Sequence, residues 1–304
     1  MNMKYIAATV GVLIISVLGY FAVAQRPASG PENKISVVAS FYPIYFFASE
    51  IGGDKARVTN IMPDGAGPHD YEPTPQDMIK IESSDMLVLS GGVEEWGADL
   101  KSGIDPKKTL VVEASQGLRT QEFTEDGVTE EDPHVWLSPK LAIRMVDTIA
   151  QGFEAVSPEN AAYYRANADA LIGELKKLNA EYEQTLSQCK RRDFVGSHGA
   201  FGYLGTSYSI RPVSIAGLSP DAEPSPQKLA ELADFAKQND VKVIFFENGV
   251  SPKLSETIAN EVGAQTMELS TLEHITTKEI AAGEDYLSIM RHNLGNLKIA
   301  LECK

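Results

Sequence analysis

Cysteine is nearly absent, with only Cys189 and Cys303 in 304 residues. That excludes a disulfide framework, a thiolate zinc site and a four-cysteine iron–sulfur cluster, so any transition metal must be held by nitrogen or oxygen. Basic residues are also scarce, 27 against 42 acidic for a formal charge of −15, which argues against a nucleic-acid backbone as partner. Only one long apolar run occurs, which excludes a multi-span membrane protein. With 43% hydrophobic and 23% charged residues the chain is neither disordered nor collagen-like but globular. Its length suffices for two domains at roughly 150 residues each.

The apolar run, Tyr5–Val23, follows Lys4, and Ala22-Val23-Ala24 before Gln25 has the small-residue pattern of a cleavage site. Residues 1–24 therefore read as a signal peptide. An uncleaved anchor is the alternative, because a stretch of about 18 residues sits at the lower limit for spanning a bilayer. Residues 25–33, rich in Pro, Gly and polar side chains, read as a flexible leash. Both readings place the rest of the chain outside the cytoplasm, in a periplasm or on the outer face of the cytoplasmic membrane. There Cys189 and Cys303 can pair; two free thiols are the alternative, since sequence sets no distance between them.

From residue 34 onward β-rich and helix-periodic stretches alternate. Lys34–Phe41, Arg57–Met62, Met86–Leu89 and Thr109–Glu113 read as strands, and Pro43–Gly53, Pro75–Ser83 and Glu94–Gly103 as helices. Such alternation predicts an α/β lobe with a mostly parallel sheet flanked by helices, assigned to residues 34–156. Residues 157–188 carry Ser-Pro-Glu at the start, no later proline and many Ala, Leu, Glu and Lys. They predict one long helix, with Ser157 as N-cap and Pro158 in the first turn, running alongside two similar lobes. Strands at Arg192–Gly196, Tyr208–Ile215, Val241–Glu247 and Ala264–Leu269, with helices at Pro252–Val262 and Gly283–Leu301, make residues 189–304 the second α/β lobe. Arg119–Asp132, which contains TQEFTEDGVTEED, reads as a solvated acidic surface loop able to concentrate cations.

Five histidines are present, and three have the context of ligands. His69 lies in MPDGAGPHDYEPTP directly after a predicted strand, where glycine and proline fix a loop around one side chain. His134 lies in EEDPHVWLSPK, with Asp132 placed to accept from the imidazole, Trp136 and Leu137 to bury and clamp the loop, and Ser138 to cap a helix from Pro139. His198 lies in VGSHGAFGYL at a strand's carboxyl end, where open α/β sheets put their sites. Intervals of 65 and 64 residues separate the three, so only tertiary folding can bring them together. Three imidazoles suit zinc. His274 reads as a surface residue, with Thr276 or Thr277 capping the segment behind it, and His292 as half-exposed on the last helix.

GAGPHDYEP, DPHVWLSP, GSHGAFGYL, the EPSP at Glu223–Pro226, VIFFENGVSPKLSETIANEVGA and GEDYLSIMRHNLGNL together cover nearly all of residues 34–301. In that order they resemble the zinc- and manganese-specific substrate-binding proteins of ABC importers, the group with a rigid linking helix. The resemblance implies a metal site in the cleft between the lobes, with His69 and His134 from the first and His198 from the second. It implies capture of a divalent ion, delivery to an ABC permease in the cytoplasmic membrane, action as a monomer, and no catalysis. Where the family offers a carboxylate from the second lobe, the corresponding position in MELSTLEHIT is Ser270, leaving the fourth ligand open among water, Glu273, Asp70 and Glu72. His198, where manganese carriers of the group have glutamate, points to Zn2+ rather than Mn2+. A three-histidine zinc hydrolase and a metal-stabilised surface adhesin are the competing readings; no HExxH pattern supports the first.

Overall fold

The structure is a computed structural model that describes residues 34–125 and 127–304. The expected signal peptide or anchor and the leash lie outside the described residues. In the first lobe the strands β1 (Ile35–Ala39), β2 (Ala56–Asn60), β3 (Met86–Leu89) and β4 (Leu110–Glu113) pair in parallel in the order β2-β1-β3-β4. The helices α1 (Tyr42–Gly52), α2 (Pro75–Glu82) and α3 (Gly97–Gly103) lie between them in the chain. β3 is buried along its whole length, as expected of a central parallel strand read from a continuous apolar run.

An antiparallel hairpin, β5 (Glu122–Glu125) with β6 (Val128–Glu131), replaces the expected acidic loop. Its strands carry almost no apolar alternation, which is why the sequence hides it. Thr124 and Thr129 share a hydrogen bond across it at 2.9 Å, and Glu125 pairs with Lys228 at 3.2 Å, laying the hairpin on the second lobe.

Two helices follow, α4 (Pro139–Val156) and α5 (Ala161–Ser187). At 27 residues α5 is about 40 Å long. Its start differs from expectation. Ser157 and Pro158 belong to a linking 3-10 turn, Pro158–Asn160, and the Ser157 hydroxyl engages Glu159 and Asn160 rather than a helix N–H. Ser138 likewise does not cap α4 with its side chain; its hydroxyl bonds Ser207 at 2.8 Å.

The second lobe contains β7 (Asp193–Gly196), α6 (Gly202–Tyr208), β8 (Arg211–Ser214), α7 (Pro226–Gln238), β9 (Val243–Phe246), α8 (Lys253–Val262), β10 (Gln265–Glu268), α9 (Thr277–Ala281) and α10 (Tyr286–Ala300). Its parallel sheet runs β10-β9-β7-β8, the same second-first-third-fourth order as the first lobe. Thr276 caps α9 in a reciprocal capping box with Glu279.

One apolar core joins the lobes. It passes from Val37, Phe47 and Ile149 through Leu171, Leu178 and Tyr182 of α5 to Met290, Leu297 and Phe245. Tyr286 of α10 stacks on Phe46 at 5.9 Å and donates to the Trp136 carbonyl at 2.6 Å, keying the last helix into the first lobe. Breaking so continuous a core costs several buried side chains at about 1.5–3 kcal/mol each, so the hinge is stiff.

Cys189 and Cys303 form a disulfide that ties the end of the chain to the end of α5 across 114 residues. Replacing both with serine is expected to lower unfolding free energy by about 2–5 kcal/mol while leaving metal affinity unchanged. Chemical denaturation beside a zinc titration checks this, and a change in affinity would contradict the separation of the disulfide from the site.

Candidate metal centre

His69, His134 and His198 come together, and Glu273 joins them: one donor atom from each lies within 4.8 Å of the other three. The His134 Nε2 is 3.3 Å from the His69 Nε2 and 3.2 Å from the His198 Nε2. Glu273 Oε1 stands 3.6, 3.4 and 3.8 Å from the Nε2 atoms of His69, His134 and His198. Four donors at about 2.0–2.1 Å from a tetrahedral zinc ion lie about 3.3 Å apart, so these separations match that polyhedron closely.

Each donor is delivered by local sequence. The His69 loop leaves β2 through a glycine turn, Gly65 at φ +75°, and ends where Thr74 caps α2. Tyr71 anchors it by donating to Asp77 at 2.8 Å. Asp77, bound by Thr74, Lys80 and Tyr71 strongly enough to outweigh burial, is held well below the usual carboxylate range. His134 has no exposed surface, and Asp132 Oδ1 accepts from both its backbone N–H at 2.9 Å and its Nδ1 at 2.8 Å. The expected clamp is Trp136, fully buried against Phe41 and donating to the Thr271 carbonyl of the second lobe at 2.9 Å. His198 follows β7, and the next residue must be glycine: a Cβ on Gly199 would stand 2.8 Å from the Phe123 ring and 3.1 Å from the Gly217 carbonyl.

The carboxylate that joins the imidazoles is that of Glu273, and Ser270 turns its polar groups to backbone and to Asn293. Its hydroxyl accepts from the Leu272 N–H at 3.1 Å, and its N–H and carbonyl are both taken by the Asn293 amide. Leu272 adopts φ +64°, a left-handed turn costly for a branched side chain, and the residue after it, Glu273, is buried among the imidazoles. Among the described residues neither oxygen of Glu273 has a hydrogen-bond partner. A carboxylate buried without donors is expensive unless a cation compensates it. Asp70 and Glu72 are exposed and lie outside the cluster. With Asp221 they line a crevice of about 280 Å³ beside His69.

His274 is a correction to the surface reading. It is half-buried, and its side chain fills the space that a Cβ on Gly67 or Gly249 would need, with Nε2 at 2.6 Å from the first and Cβ at 2.6 Å from the second. His292 is more exposed than expected, with Glu284 at 3.7 Å. Glu247, which is not among the candidates the sequence offers, accepts from His198 Nδ1 at 2.6 Å. The available signal was a carboxylate at the end of the buried strand VIFF.

Burial alone would lower the pKa of His134, but the hydrogen bond to Asp132 and the facing Glu273 outweigh it and raise it to about 9. Glu273 is held well below the usual carboxylate range, the charged imidazoles outweighing burial. The metal-free cluster therefore binds protons that a cation must displace.

Two parallel-sheet lobes on a rigid helix, with four nitrogen and oxygen donors buried where they meet, define a two-lobed binding protein whose ligand site has the size of a single ion. The chain belongs to the family described as ZnuA, zinc-uptake complex component A periplasmic, whose model matches residues 37–300. It is 38% identical over 289 residues to the high-affinity zinc uptake system protein ZnuA of Bacillus subtilis, covering 91% of each. It is 36% identical to the zinc-binding protein AdcA of Streptococcus pyogenes serotype M3 over 310 residues, covering 95% of this chain but only 60% of AdcA. Among solved structures, the Zn(II)-bound ZnuA-like domain of Streptococcus pneumoniae AdcA superposes with a TM-score of 0.77 at 38% identity, covering 88% of this chain and 99% of that domain.

Proposed function

We propose that this protein captures Zn2+ outside the cytoplasmic membrane and delivers it to an ABC permease in that membrane, with His69, His134, His198 and Glu273 as the four ligands. The observation that carries the reading is the Glu273 carboxylate, buried without a hydrogen bond and surrounded by three Nε2 atoms at 3.4–3.8 Å. Three nitrogens and one carboxylate favour zinc over manganese in the Irving–Williams order. Four protein donors close the tetrahedron, whereas a catalytic zinc keeps a position for water or substrate, which weighs against the hydrolase reading. Membership of an uptake family and the names of the relatives supply the transport context.

Capture must release protons. Because His134 holds its proton up to a pH of about 9, zinc affinity is expected to rise with pH towards that value and to fall below it. The fall approaches tenfold per pH unit for each proton displaced, or about 100-fold per proton between pH 7.5 and 5.5. Calorimetric titration at those two values tests the reading, with proton release measured from buffers of different ionisation enthalpy. Equal affinity at both would rule out an imidazole-based site.

A further inference from the structure

His198 is supported from behind by a residue of a different strand, and that residue reaches the contact between the lobes. Glu247 is the first residue beyond β9, and His198 lies two beyond β7. Those strands are neighbours at the point where the sheet order reverses, the crevice that open α/β sheets use for binding. Glu247 is 3% exposed. Its Oε1 accepts from His198 Nδ1 at 2.6 Å, and its Oε2 accepts from the Thr271 hydroxyl at 3.3 Å. The Thr271 carbonyl in turn accepts the Trp136 Nε1–H from the first lobe at 2.9 Å.

We propose that Glu247 is a positioning residue for metal capture: its carboxylate keeps the Nδ1 proton of His198 in place so that Nε2 faces the ion, and Thr271 links that orientation to the closed contact between the lobes. Three observations support this. A carboxylate buried with only two donors is a costly way to brace a fold, and an apolar or amide group would do so more cheaply. Among the described residues no lysine or arginine pairs with it, so the compensating positive charge is the one that arrives on the far side of the ring. Asp132 stands behind His134 in the same relation at 2.8 Å, so each buried imidazole carries its own carboxylate. Such a partner fixes the tautomer, strengthens the donor nitrogen, and is worth about 10–100-fold in metal affinity.

The proposal rests on the zinc-capture reading, and the test separates the two. Glu247→Gln, nearly the same shape without the charge, is expected to weaken zinc binding by about 10–100-fold in competition with a chromophoric chelator, with the melting temperature of the metal-free protein unchanged. Thr271→Val should weaken it a few-fold in the same direction. In zinc-loaded Glu247→Ala, nitrogen-15 spectra should show the His198 ring bound through either nitrogen where the zinc-loaded wild type is bound through Nε2 alone. Wild-type affinity in Glu247→Gln together with an unchanged ring spectrum in Glu247→Ala would overturn the proposal, provided His198→Ala abolishes tight binding. Wild-type affinity in His198→Ala would overturn the site reading itself.

Discussion

Replacing His134, His198 or Glu273 by alanine is expected to lower zinc affinity at least about 100-fold. Tetrahedral zinc sites in small domains yield about 10–16 kcal/mol in all, or about 3 kcal/mol per ligand, and that is about two powers of ten in the dissociation constant. His69→Ala belongs to the same class, although the ring is 12% exposed and sits on a loop, so water can take part of its place. Ser270→Ala and His292→Ala serve as controls. Among the described residues the Ser270 hydroxyl bonds only the Leu272 N–H, and His292 is on the surface, so both variants should bind zinc as the wild type does. Glu273→Ala carries a second expectation. The attraction to the imidazoles that holds its carboxyl well below the usual range stabilises the fold at neutral pH, so the metal-free variant should melt lower than the wild type and also lose most of its zinc-dependent stabilisation. Loss of affinity in Ser270→Ala with Glu273→Ala unaffected would return the carboxylate position to the place the family pattern gave it.

β3 was legible to the residue because a strand buried on both faces must be continuously apolar. The helix α7, Pro226–Gln238, gives little apolar signal in the sequence although Ser225 caps it, since its buried side is only Leu232, Ala233 and Ala236. The hairpin β5–β6 has the sequence of a loop, because β6 is exposed along its whole length and shows no alternation. At the site, His69, His134 and His198 stood out as histidines in glycine- and proline-framed loops next to strand ends. Glu273 is one of several candidates that the sequence leaves open for the fourth position, with water, Asp70 and Glu72. The left-handed turn at Leu272 places Glu273 among the imidazoles, and nothing in a non-glycine residue announces a positive φ. Glu247 was hidden for a related reason: its partner is 49 residues earlier, and only the parallel pairing of β7 with β9 brings the two side chains together.

Trp136→Ala should be the most damaging single change outside the ligands, lowering the unfolding free energy by about 3–5 kcal/mol. The ring has no exposed surface, packs edge-on against Phe41 at 4.9 Å, and lies 5.2 Å from the His134 ring. Truncation therefore opens a cavity beside one ligand and, by removing the Nε1–H, leaves the Thr271 carbonyl of the other lobe without its donor. Trp136→Phe keeps most of the apolar volume and loses mainly the hydrogen bond, so it should cost about 1–3 kcal/mol. The pair of variants distinguishes packing from the bond that joins the lobes. Denaturation with and without zinc reads both effects, because an ion that binds only the folded state stabilises it in proportion to the logarithm of its affinity. Where Trp136 couples the lobes, Trp136→Phe should also reduce the zinc-induced increment, since Thr271 holds Glu247 and Glu247 holds His198. An increment equal to that of the wild type would confine Trp136 to packing and detach the first lobe from the second lobe's ligand.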